Sequence, residues 1–509
     1  MATVALIRSP SVVARFGLTM NATPPLGVAL LAGNLSARGH VVQIVDAVGE
    51  AIDRLTPDPE TSLLLHGLPL DEVVARVRAD ADWIGVSVPF SHEWPMVRRL
   101  LKLLAQRFPT TPLVCGGEHS TALPEESLRD APELTACVLG EGEATAIELT
   151  EALTAKRPLR TVPGLCIRDG TQLIRTEIRG RIRGLSKLAP PLWSAVPLEA
   201  YLAGGFSFGV NRGRTMPVLA TRGCPYQCTF CSSPQMWTTR YETRPPAEVV
   251  DEIASYVEQY EAQNIDFYDL TSIIGRGWVL EFCRLMEERK LGVSWQLPSG
   301  TRSEALDDEV LAAMFRAGCR NVSYAPESGS ERTLRKILKK VKLDRMLRSM
   351  QSAVSAGLNV KANIIVGFPG EVRSDLQDTL GFIRQMASAG VHDVSVWTFS
   401  PYPGSRLFDE LRAAGRIKEL DDAYYLSLLS YSDLGAATSW DDTLGARELQ
   451  SWRIAGLSLF YLESFARHPT RPIRALRNIL KDQHESRLEM SLSHLLRRIT
   501  PRNPFAGAV

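Results

Sequence analysis

Three of the eight cysteines stand close together in the chain, as Cys224, Cys228 and Cys231, with the spacing C-x3-C-x2-C. A structural zinc site normally takes four ligands, and no fourth Cys or His lies nearby in the sequence. An odd trio cannot be fully paired in disulfides. Thiolates at such loop spacings bind a 4Fe–4S cluster, and three of them would leave one iron open. The spacing therefore favours an iron–sulfur site with one free coordination position.

A repeating strand–helix pattern must position these cysteines. Between residues 216 and 405, apolar runs that predict strands alternate with helical segments. The predicted strands are 216–221, 265–270, 293–299, 321–326, 360–366 and 393–399. Six successive units predict a partial (β/α)6 barrel, whose site lies at the C-terminal ends of the strands. The cysteines follow the first strand, so we expect them on that face.

Polar side chains follow later strands of the same barrel and are expected on the same face. Arg302 can pair with a carboxylate, and Glu327 can accept two hydrogen bonds from hydroxyl groups. Each candidate has an ordinary alternative. Arg302 could be a surface cation, Glu327 a structural ion-pair partner and Asp269 a helix N-cap.

Residues 1–150 alternate short apolar runs with helical segments, which predicts a doubly wound parallel sheet. Ligands bind such α/β sheets beyond the carboxyl ends of the strands. Glycine and proline gather at those ends, where glycine lets the backbone approach a large ligand. The candidate contacts are Pro25, Gly27, Ser87, Gly116, Gly117, Gly140 and Gly142.

The cysteine segment resembles the signature of the radical S-adenosylmethionine (SAM) superfamily, C-x3-C-x-Φ-C, in which Φ is aromatic and is Phe230 here. The resemblance implies that SAM chelates the open iron and that an electron from the cluster cleaves it to a 5′-deoxyadenosyl radical. It implies that Asp269 holds the SAM amino group. It also implies that Glu327 and Ser328 contact the sugar and methionine parts, and that Val366 lies near the adenine.

Residues 1–150 resemble a cobalamin-binding domain. Ser87-x-Pro89, followed one strand later by Gly116-Gly117, is similar to the family's Ser-x-Leu and Gly-Gly pair, which flank the nucleotide tail. The family's D-x-H-x-x-G loop should follow the first strand, but residues 9–27 contain no His. Any bound cobalamin would therefore lack a His ligand from that loop. The alternative is a flavodoxin-like sheet without a cofactor.

The two resemblances identify the chain as a member of the cobalamin-binding radical SAM enzymes. That family includes methyltransferases acting on unactivated carbon and the anaerobic magnesium-protoporphyrin ester cyclase of chlorophyll synthesis. The implied reaction is methyl transfer, in which one SAM methylates reduced cobalamin and a second yields the radical that activates the substrate. Cyclisation or rearrangement without methyl transfer, and a sensor without turnover, remain open. The implied cofactors are a 4Fe–4S cluster, SAM and cobalamin, with an electron donor such as flavodoxin or ferredoxin.

The remaining segments have weaker patterns. Residues 151–215 predict a linker with a β-hairpin around 164–175, and residues 406–509 predict a helical C-terminal domain after the radical SAM domain of 216–405. From Arg467 to Arg502 the chain holds nine Lys/Arg against three Asp/Glu. Apolar residues recur there at helical spacing, as Ile473, Leu476, Ile479 and Leu480. This tail is interpreted either as an amphipathic helix packed on the barrel or as a basic helix that touches a membrane surface.

The overall composition limits the partners and the compartment. Lys and Arg number 58 and Asp and Glu 57, a balance that argues against a nucleic-acid binder. No apolar stretch of spanning length is free of charge, and the N-terminus lacks a signal-peptide pattern. We expect a cytoplasmic enzyme that acts on a small molecule or a lipid. The scattered cysteines Cys115, Cys137, Cys166, Cys283 and Cys319 are then buried thiols.

Overall fold

A computed structural model describes most of the 509-residue chain. The described residues are 1–14, 22–271, 275–431, 433, 435–481, 484–486, 488–490 and 492–493. Part of the loop after the first strand and the end of the basic tail, with a few residues before it, therefore lie outside the described residues. Among the predicted tail residues, this applies to Arg487, Arg497, Arg498, Arg502 and Asp482.

The N-terminal part is built on a seven-stranded sheet and a small antiparallel sheet. The strands are β1 (Thr3–Arg8), β2 (Ser11–Val13), β3 (Val41–Asp46), β4 (Leu55–Pro57), β5 (Leu64–His66), β6 (Trp83–Ser87), β7 (Leu113–Gly116), β8 (Leu134–Val138), β9 (Leu165–Asp169) and β10 (Gln172–Arg175). The large sheet has the order β10-β9-β8-β7-β6-β1-β3, and β2, β5 and β4 form the small one.

Five parallel strands of the large sheet, β1, β3, β6, β7 and β8, lie between residues 1 and 150, so the predicted doubly wound topology is confirmed. The chain passes from β1 to β3 on one side and then returns to β6 on the other. The strand order therefore reverses at β1 and β6, which is where such sheets open a crevice for a ligand. The predicted hairpin also forms, as β9 and β10, and it extends the same sheet antiparallel to β8.

Helices cover both faces of this sheet. They are α1 (Leu26–Ser36), α2 (Leu70–Arg76), α3 (Trp94–Arg107), α4 (Glu118–Ala122), α5 (Pro124–Asp130) and α6 (Gly142–Thr154). In α3, the buried residues Trp94, Val97, Leu100, Leu101 and Leu104 recur at intervals of three and four, which places them on one helix face against the sheet.

The middle of the chain forms a six-stranded parallel sheet with helices on its outer face. Its strands, with two short strands of a separate ribbon, are β11 (Thr215–Val218), β12 (Thr221–Arg222), β13 (Glu242–Thr243), β14 (Asn264–Phe267), β15 (Ser294–Thr301), β16 (Cys319–Glu327), β17 (Asn359–Val366) and β18 (Asp393–Thr398). The helices are α7 (Leu198–Gly204), α8 (Ser233–Trp237), α9 (Pro246–Tyr260), α10 (Arg276–Arg289), α11 (Asp308–Arg316), α12 (Glu331–Lys336), α13 (Leu343–Ser355) and α14 (Arg373–Ser388).

The sheet order β11-β14-β15-β16-β17-β18 follows the chain, so the prediction of a partial (β/α)6 barrel is confirmed. In β17 every second residue is buried, from Val360 to Val366, under the outer helices. The alternate residues point to the inner face of the barrel, as the two-residue period of a strand requires. The strands run in one direction, and their C-terminal ends therefore share one rim.

The C-terminal helices join the two parts. They are α15 (Arg406–Ala413), α16 (Asp422–Ser427), α17 (Ala446–Arg467) and α18 (Thr470–Lys481). Helix α17 lies on β18, where the buried Arg453 donates to the carbonyl of Val396 at 3.0 Å. Tyr425 of α16 packs in the same core cluster as Trp94 of α3. Among the described residues, no helix is both long and apolar enough to cross a membrane.

Candidate active site

The three clustered cysteines lie on the segment between β12 and α8, at the rim predicted from the sequence. Their thiols are free and partly exposed. The N–H of Thr229 donates to the carbonyl of Ile337 at 3.0 Å, and the N–H of Leu407 donates to the carbonyl of Thr229 at 2.8 Å. The stretch between Cys228 and Cys231 is therefore held from both sides by backbone hydrogen bonds.

The surroundings of Cys228 and Cys231 disfavour bare thiolates at these two positions. Burial raises the pKa of Cys228, against the opposing positive charge of Lys339. Burial also raises the pKa of Cys231 to about 11, although Ser233 donates to it. A thiolate at these positions needs a nearby positive charge, and coordinated iron supplies one.

The donor set fits an iron–sulfur cluster better than a single metal ion. In the described part of the chain, no three His, Cys, Asp or Glu side chains converge as ligands of one ion. A four-iron cluster spaces its thiolates more widely than one ion does, so loop cysteines need not converge on a point. Cys224, Cys228 and Cys231 would hold such a cluster.

Glu327 ends β16 with an unusual backbone and a buried charge partner. Its φ is +68°, a left-handed conformation that is uncommon for a residue with a side chain. Its carboxylate accepts a hydrogen bond from the ammonium of Lys339 at 2.8 Å. The alternative role of Glu327 as an ion-pair partner is therefore present, and its predicted contact with SAM stays a prediction.

Arg302 is 5% exposed, so it is not a surface cation. Its guanidinium carbon lies 3.6 Å from the centroid of the Tyr226 ring. Tyr226 stands between Cys224 and Cys228 in the chain. Arg302 also donates to the carboxylate of Glu304 and to the backbone carbonyl of Lys340. The guanidinium thus braces the cysteine segment by a cation–π contact.

Asp269 fixes the chain that enters the cysteine segment. Its carboxylate accepts hydrogen bonds from the N–H of Ala220, at 3.3 Å, and from the hydroxyl of Thr221. Burial raises the pKa of Asp269 to about 6. It does not cap α10, which begins at Arg276, so the N-cap alternative is wrong.

The remaining SAM candidates lie at neighbouring strand ends. The hydroxyl of Ser328 lies 3.1 Å from that of Thr379, and Val366 is buried at the end of β17. The ring of Phe230 packs at 5.5 Å from Phe368, in the turn after β17. The aromatic residue of the cysteine motif therefore joins that motif to the turn where the adenine contact is predicted.

The sequence did not predict a role for two buried charged residues at this rim, Lys339 and Glu371. Lys339 stands in a run with Lys340, and nothing in the sequence distinguishes the buried lysine from its exposed neighbour. Glu371 accepts hydrogen bonds from the N–H groups of Gly367 and Phe368, at 2.7 and 3.3 Å. The position of Glu371 directly after the glycines of the turn is the sequence feature that could have predicted this role.

The strand-end residues of the N-terminal sheet come together at one edge. Ser87 is paired with Gly116, and Gly116 with Val138, at the ends of neighbouring parallel strands. A Cβ built on Gly27 would meet no atom within 4 Å, and one on Gly116 would meet only Val138 at 3.6 Å. This open, side-chain-free edge fits the approach of a large flat cofactor such as cobalamin.

Other glycines at this edge have packing roles. Gly117 has a φ of +117°, and a Cβ there would lie 2.7 Å from the carbonyl oxygen of Val88. A Cβ on Gly142 would lie 3.1 Å from the side chain of Leu31. Gly140 has a φ of +69°, and a Cβ there would lie 3.9 Å from the carbonyl oxygen of Met236. Pro25 precedes the first residue of α1. The cofactor contacts of all these residues stay predictions.

Family models match both parts of the chain. The model of the Radical SAM superfamily matches residues 218–383, and the model of the B12 binding domain matches residues 17–150.

Curated relatives cover most of the chain. An uncharacterized methyltransferase of Pyrococcus horikoshii is 28% identical over 390 residues, 76% of this chain and 78% of its own. Cytidylyl-2-hydroxyethylphosphonate methyltransferase of Streptomyces wedmorensis is 27% identical over 442 residues, 80% of this chain and 81% of its own. The anaerobic magnesium-protoporphyrin IX monomethyl ester cyclase of Rubrivivax gelatinosus is 29% identical over 395 residues, 76% of this chain and 66% of its own.

Two solved structures share the fold. The radical SAM methyltransferase TsrM from Kitasatospora setae, with tryptophan and a SAM analogue bound, aligns with a TM-score of 0.63 at 18% identity, over 82% of this chain and 77% of its own. The cobalamin-dependent SAM radical enzyme OxsB, with aqua-cobalamin and SAM bound, gives 0.64 at 14% identity, over 83% of this chain and 62% of its own.

Proposed function

The chain belongs to the cobalamin-dependent radical SAM enzymes, and we propose that it is a methyltransferase acting on an unactivated carbon atom. Its cofactors are a 4Fe–4S cluster, SAM and cobalamin. One observation carries the proposal. The open glycine edge of the N-terminal sheet abuts the cysteine segment, because the hydroxyl of Ser232 donates to Glu118 and that of Thr121 lies 3.7 Å from the sulfur of Met236.

This adjacency is what transfer between two cofactor sites requires. When bound, the cluster and SAM supply a radical at the substrate, and cobalamin supplies the methyl group. The chain's own residues hold these groups in fixed positions relative to one another. Cys224, Cys228 and Cys231 would hold the cluster, while Gly27 and Gly116 leave room for cobalamin.

The SAM contacts are part of the proposal. Asp269, Arg302, Glu327, Ser328 and Val366 line up along successive strand ends of one rim. Asp269 accepts hydrogen bonds from the residues that enter the cysteine segment, and Arg302 lies over the ring of Tyr226 within that segment. Both contacts support a role in shaping the SAM pocket.

The cobalamin contacts divide into two groups. We assign direct contact to Pro25, Gly27, Ser87, Gly116 and Gly140. Gly117 and Gly142 would instead shape the edge, because a side chain on either would meet a neighbouring atom at once.

Anaerobic turnover with SAM that carries a trideuterated methyl group tests the function. The probes are cytidylyl-2-hydroxyethylphosphonate and magnesium-protoporphyrin monomethyl ester, which follow from the names of the relatives. Methyl transfer adds the labelled methyl group to the product and releases S-adenosylhomocysteine. A product that has lost hydrogen but gained no methyl group, formed without release of S-adenosylhomocysteine, would contradict methyl transfer and favour a cyclase.

A cyclase is the second candidate, because the cyclase of Rubrivivax gelatinosus is 29% identical to this chain. The chain spans only 66% of that cyclase, whereas it spans 78% and 81% of the two methyltransferases. The fuller coverage supports methyl transfer first.

The enzyme takes a small-molecule substrate and needs an electron donor. We propose a flavodoxin or ferredoxin as the donor, no nucleic acid as a partner, and the cytoplasm as the compartment, because a reduced cluster with an open iron requires reducing surroundings.

Peripheral membrane contact is a further part of the proposal, and α18 supports it. Its side chains Ile473, Leu476 and Leu480 are 72%, 59% and 78% exposed. They recur at helical spacing beside Arg474 and Arg477, whereas Arg471 donates to the carbonyls of Gly390 and Val391 in the loop before β18. Such a helix can lay its apolar side chains in a headgroup layer while its arginines contact anionic lipid, so a lipid substrate remains within the proposal.

A further inference from the structure

Two carboxylates of the N-terminal domain are buried against the entry to the cysteine segment. Glu141 precedes α6 and Glu143 lies in its first turn, and both side chains reach Arg222, two residues before Cys224. The Arg222 guanidinium donates to Glu141 at 3.1 Å and to Glu143. The three side chains are only 4%, 3% and 7% exposed. One guanidinium thus bridges two carboxylates from the other domain.

The same network reaches the exit of the cysteine segment. Arg181 donates to the second oxygen of Glu141 at 2.8 Å. The guanidinium carbons of Arg181 and Arg222 lie 5.5 and 5.7 Å from the ring centroid of Trp237, the last residue of α8. We call these five residues, Glu141, Glu143, Arg181, Arg222 and Trp237, the clamp. The clamp contacts the chain before Cys224, through Arg222, and after Cys231, through Trp237.

The clamp is better suited to fixing geometry than to adding stability. Removing paired charges from water is costly, and apolar packing of the same volume often stabilises as well or better. Forked hydrogen bonds between guanidinium and carboxylate, in contrast, fix distance and angle. Here they join the loop after β8, beside the open edge, to both flanks of the cysteine segment.

We propose that Glu141 and Glu143 are positioning residues that set the placement of the cobalamin site relative to the cluster. This inference rests on the proposed function, since it concerns the same two cofactor sites. Loosening the clamp should leave each cofactor bound while disturbing the distance between them.

The test is Glu143→Gln in the holoenzyme. Glu141 remains to balance Arg222, so the guanidinium is not left unpaired. The measurement is the relaxation of the cobalt(II) paramagnetic resonance signal with the cluster oxidised and then reduced, because a reduced cluster speeds that relaxation according to its distance. We expect the variant to keep its iron and cobalamin but to show a weaker or more dispersed effect.

The matched control is Glu125→Gln. Glu125 also pairs with an arginine in two contacts, to Arg175, but this pair lies within the N-terminal domain. The Glu125→Gln variant should show the same relaxation effect as the wild type. A Glu143→Gln enzyme that also matches the wild type would overturn the inference.

A second variant covers the case in which Glu143→Gln fails to load its cofactors. Arg222→Met with Glu143→Leu replaces the bridge by apolar packing, which buried ion pairs often tolerate. An unchanged relaxation effect in this double variant would overturn the inference, and an altered one would support it.

Turnover gives an independent readout. Methylated product per SAM cleaved should fall by up to about 100-fold in the clamp variants, because a displacement of about 1 Å can cost that much. A wild type that methylates nothing refutes the proposed function alone, since the magnetic measurement needs no substrate.

Discussion

The ammonium of Lys339 donates to the carboxylate of Glu327 at 2.8 Å, and each side chain is 9% exposed. This pair lies where two elements meet: Glu327 ends β16, and Lys339 follows α12. Ile337, two residues before Lys339, receives the hydrogen bond that holds the cysteine segment. The pair therefore connects the predicted SAM contact to the backbone that carries Cys228.

Lys339→Gln should leave Glu327 as a buried carboxylate without its counter-ion. Loss of one partner of a buried pair costs about 3–5 kcal/mol. We expect a lower melting temperature and weaker SAM binding, measured by calorimetry under anaerobic conditions. Lys340→Gln, at the exposed neighbour, is the control; equal melting and SAM binding in the two variants would contradict a role for Lys339.

Alanine at Cys224, Cys228 or Cys231 should abolish SAM cleavage. Reconstituted wild type should bind about four irons per chain, and the triple variant should bind little. Cys283→Ala, at a buried thiol in α10, should retain both iron and cleavage. Cleavage that survives in the triple variant would refute the cluster assignment.

Gly116→Leu should lower cobalamin occupancy, because the new side chain would extend into the open edge of the sheet without a prior clash. Cobalt content per chain is the measurement. Gly277→Leu is the matched control, at an exposed position of α10 where a Cβ would meet no atom within 4 Å. Gly117 is unsuitable because a side chain there strains the backbone. Full cobalt content in Gly116→Leu would count against this edge as the site.

If cobalamin is bound without a ligand from the loop at residues 9–27, the cobalt(II) resonance should show no nitrogen coupling from a protein histidine. The segment has no His to supply one. Clear coupling to a protein imidazole would show that another part of the chain provides the lower ligand.

Glu371→Gln should change how stability depends on pH. Burial raises the pKa of Glu371 from 4.5 to about 7, against the N–H groups of Gly367 and Phe368. The folded chain therefore keeps this proton between those pH values while the unfolded chain releases it. The stability that the protonated form contributes is present below pH 4.5 and lost as pH rises to about 7.

Glutamine offers the same acceptor oxygen and never ionises. Relative to the variant, the wild type should lose roughly 3 kcal/mol across that range. Melting temperatures of both proteins between pH 5 and 8 check this, and parallel curves would contradict it.

The wild type should sediment with anionic vesicles at low salt and be released by added salt. Each arginine near such a surface contributes about 1 kcal/mol. Serine at Ile473, Leu476 and Leu480 should weaken binding, whereas Leu462→Ser, at a leucine of α17 that is 71% exposed, should not. A wild type that stays in the supernatant would end the membrane proposal.

Local patterns were enough to predict much of this architecture. The two-residue and 3.6-residue periods gave the five parallel strands before residue 150 and the six barrel strands after residue 215, because such periods follow from burying one face of an element. The spacing of Cys224, Cys228 and Cys231 predicted their shared loop, and their position after the first barrel strand predicted the place of that loop on the rim. These features depend on neighbours within a few residues, which the sequence displays directly.

Other features depend on residues that meet only after folding. Lys339 and Lys340 are alike in sequence, and packing alone buries one of them. The hairpin of β9 and β10 was predicted as part of a linker, but its pairing with β8 depends on an edge formed elsewhere.

The clamp shows the same division most clearly. By itself the sequence placed Gly140 and Gly142 at a ligand edge, yet gave no partner for the glutamates between and after them. Arg222 lies 81 and 79 residues beyond Glu141 and Glu143. Only the tertiary structure pairs them, because a buried charge takes whichever opposite charge the packed domains bring within hydrogen-bonding distance.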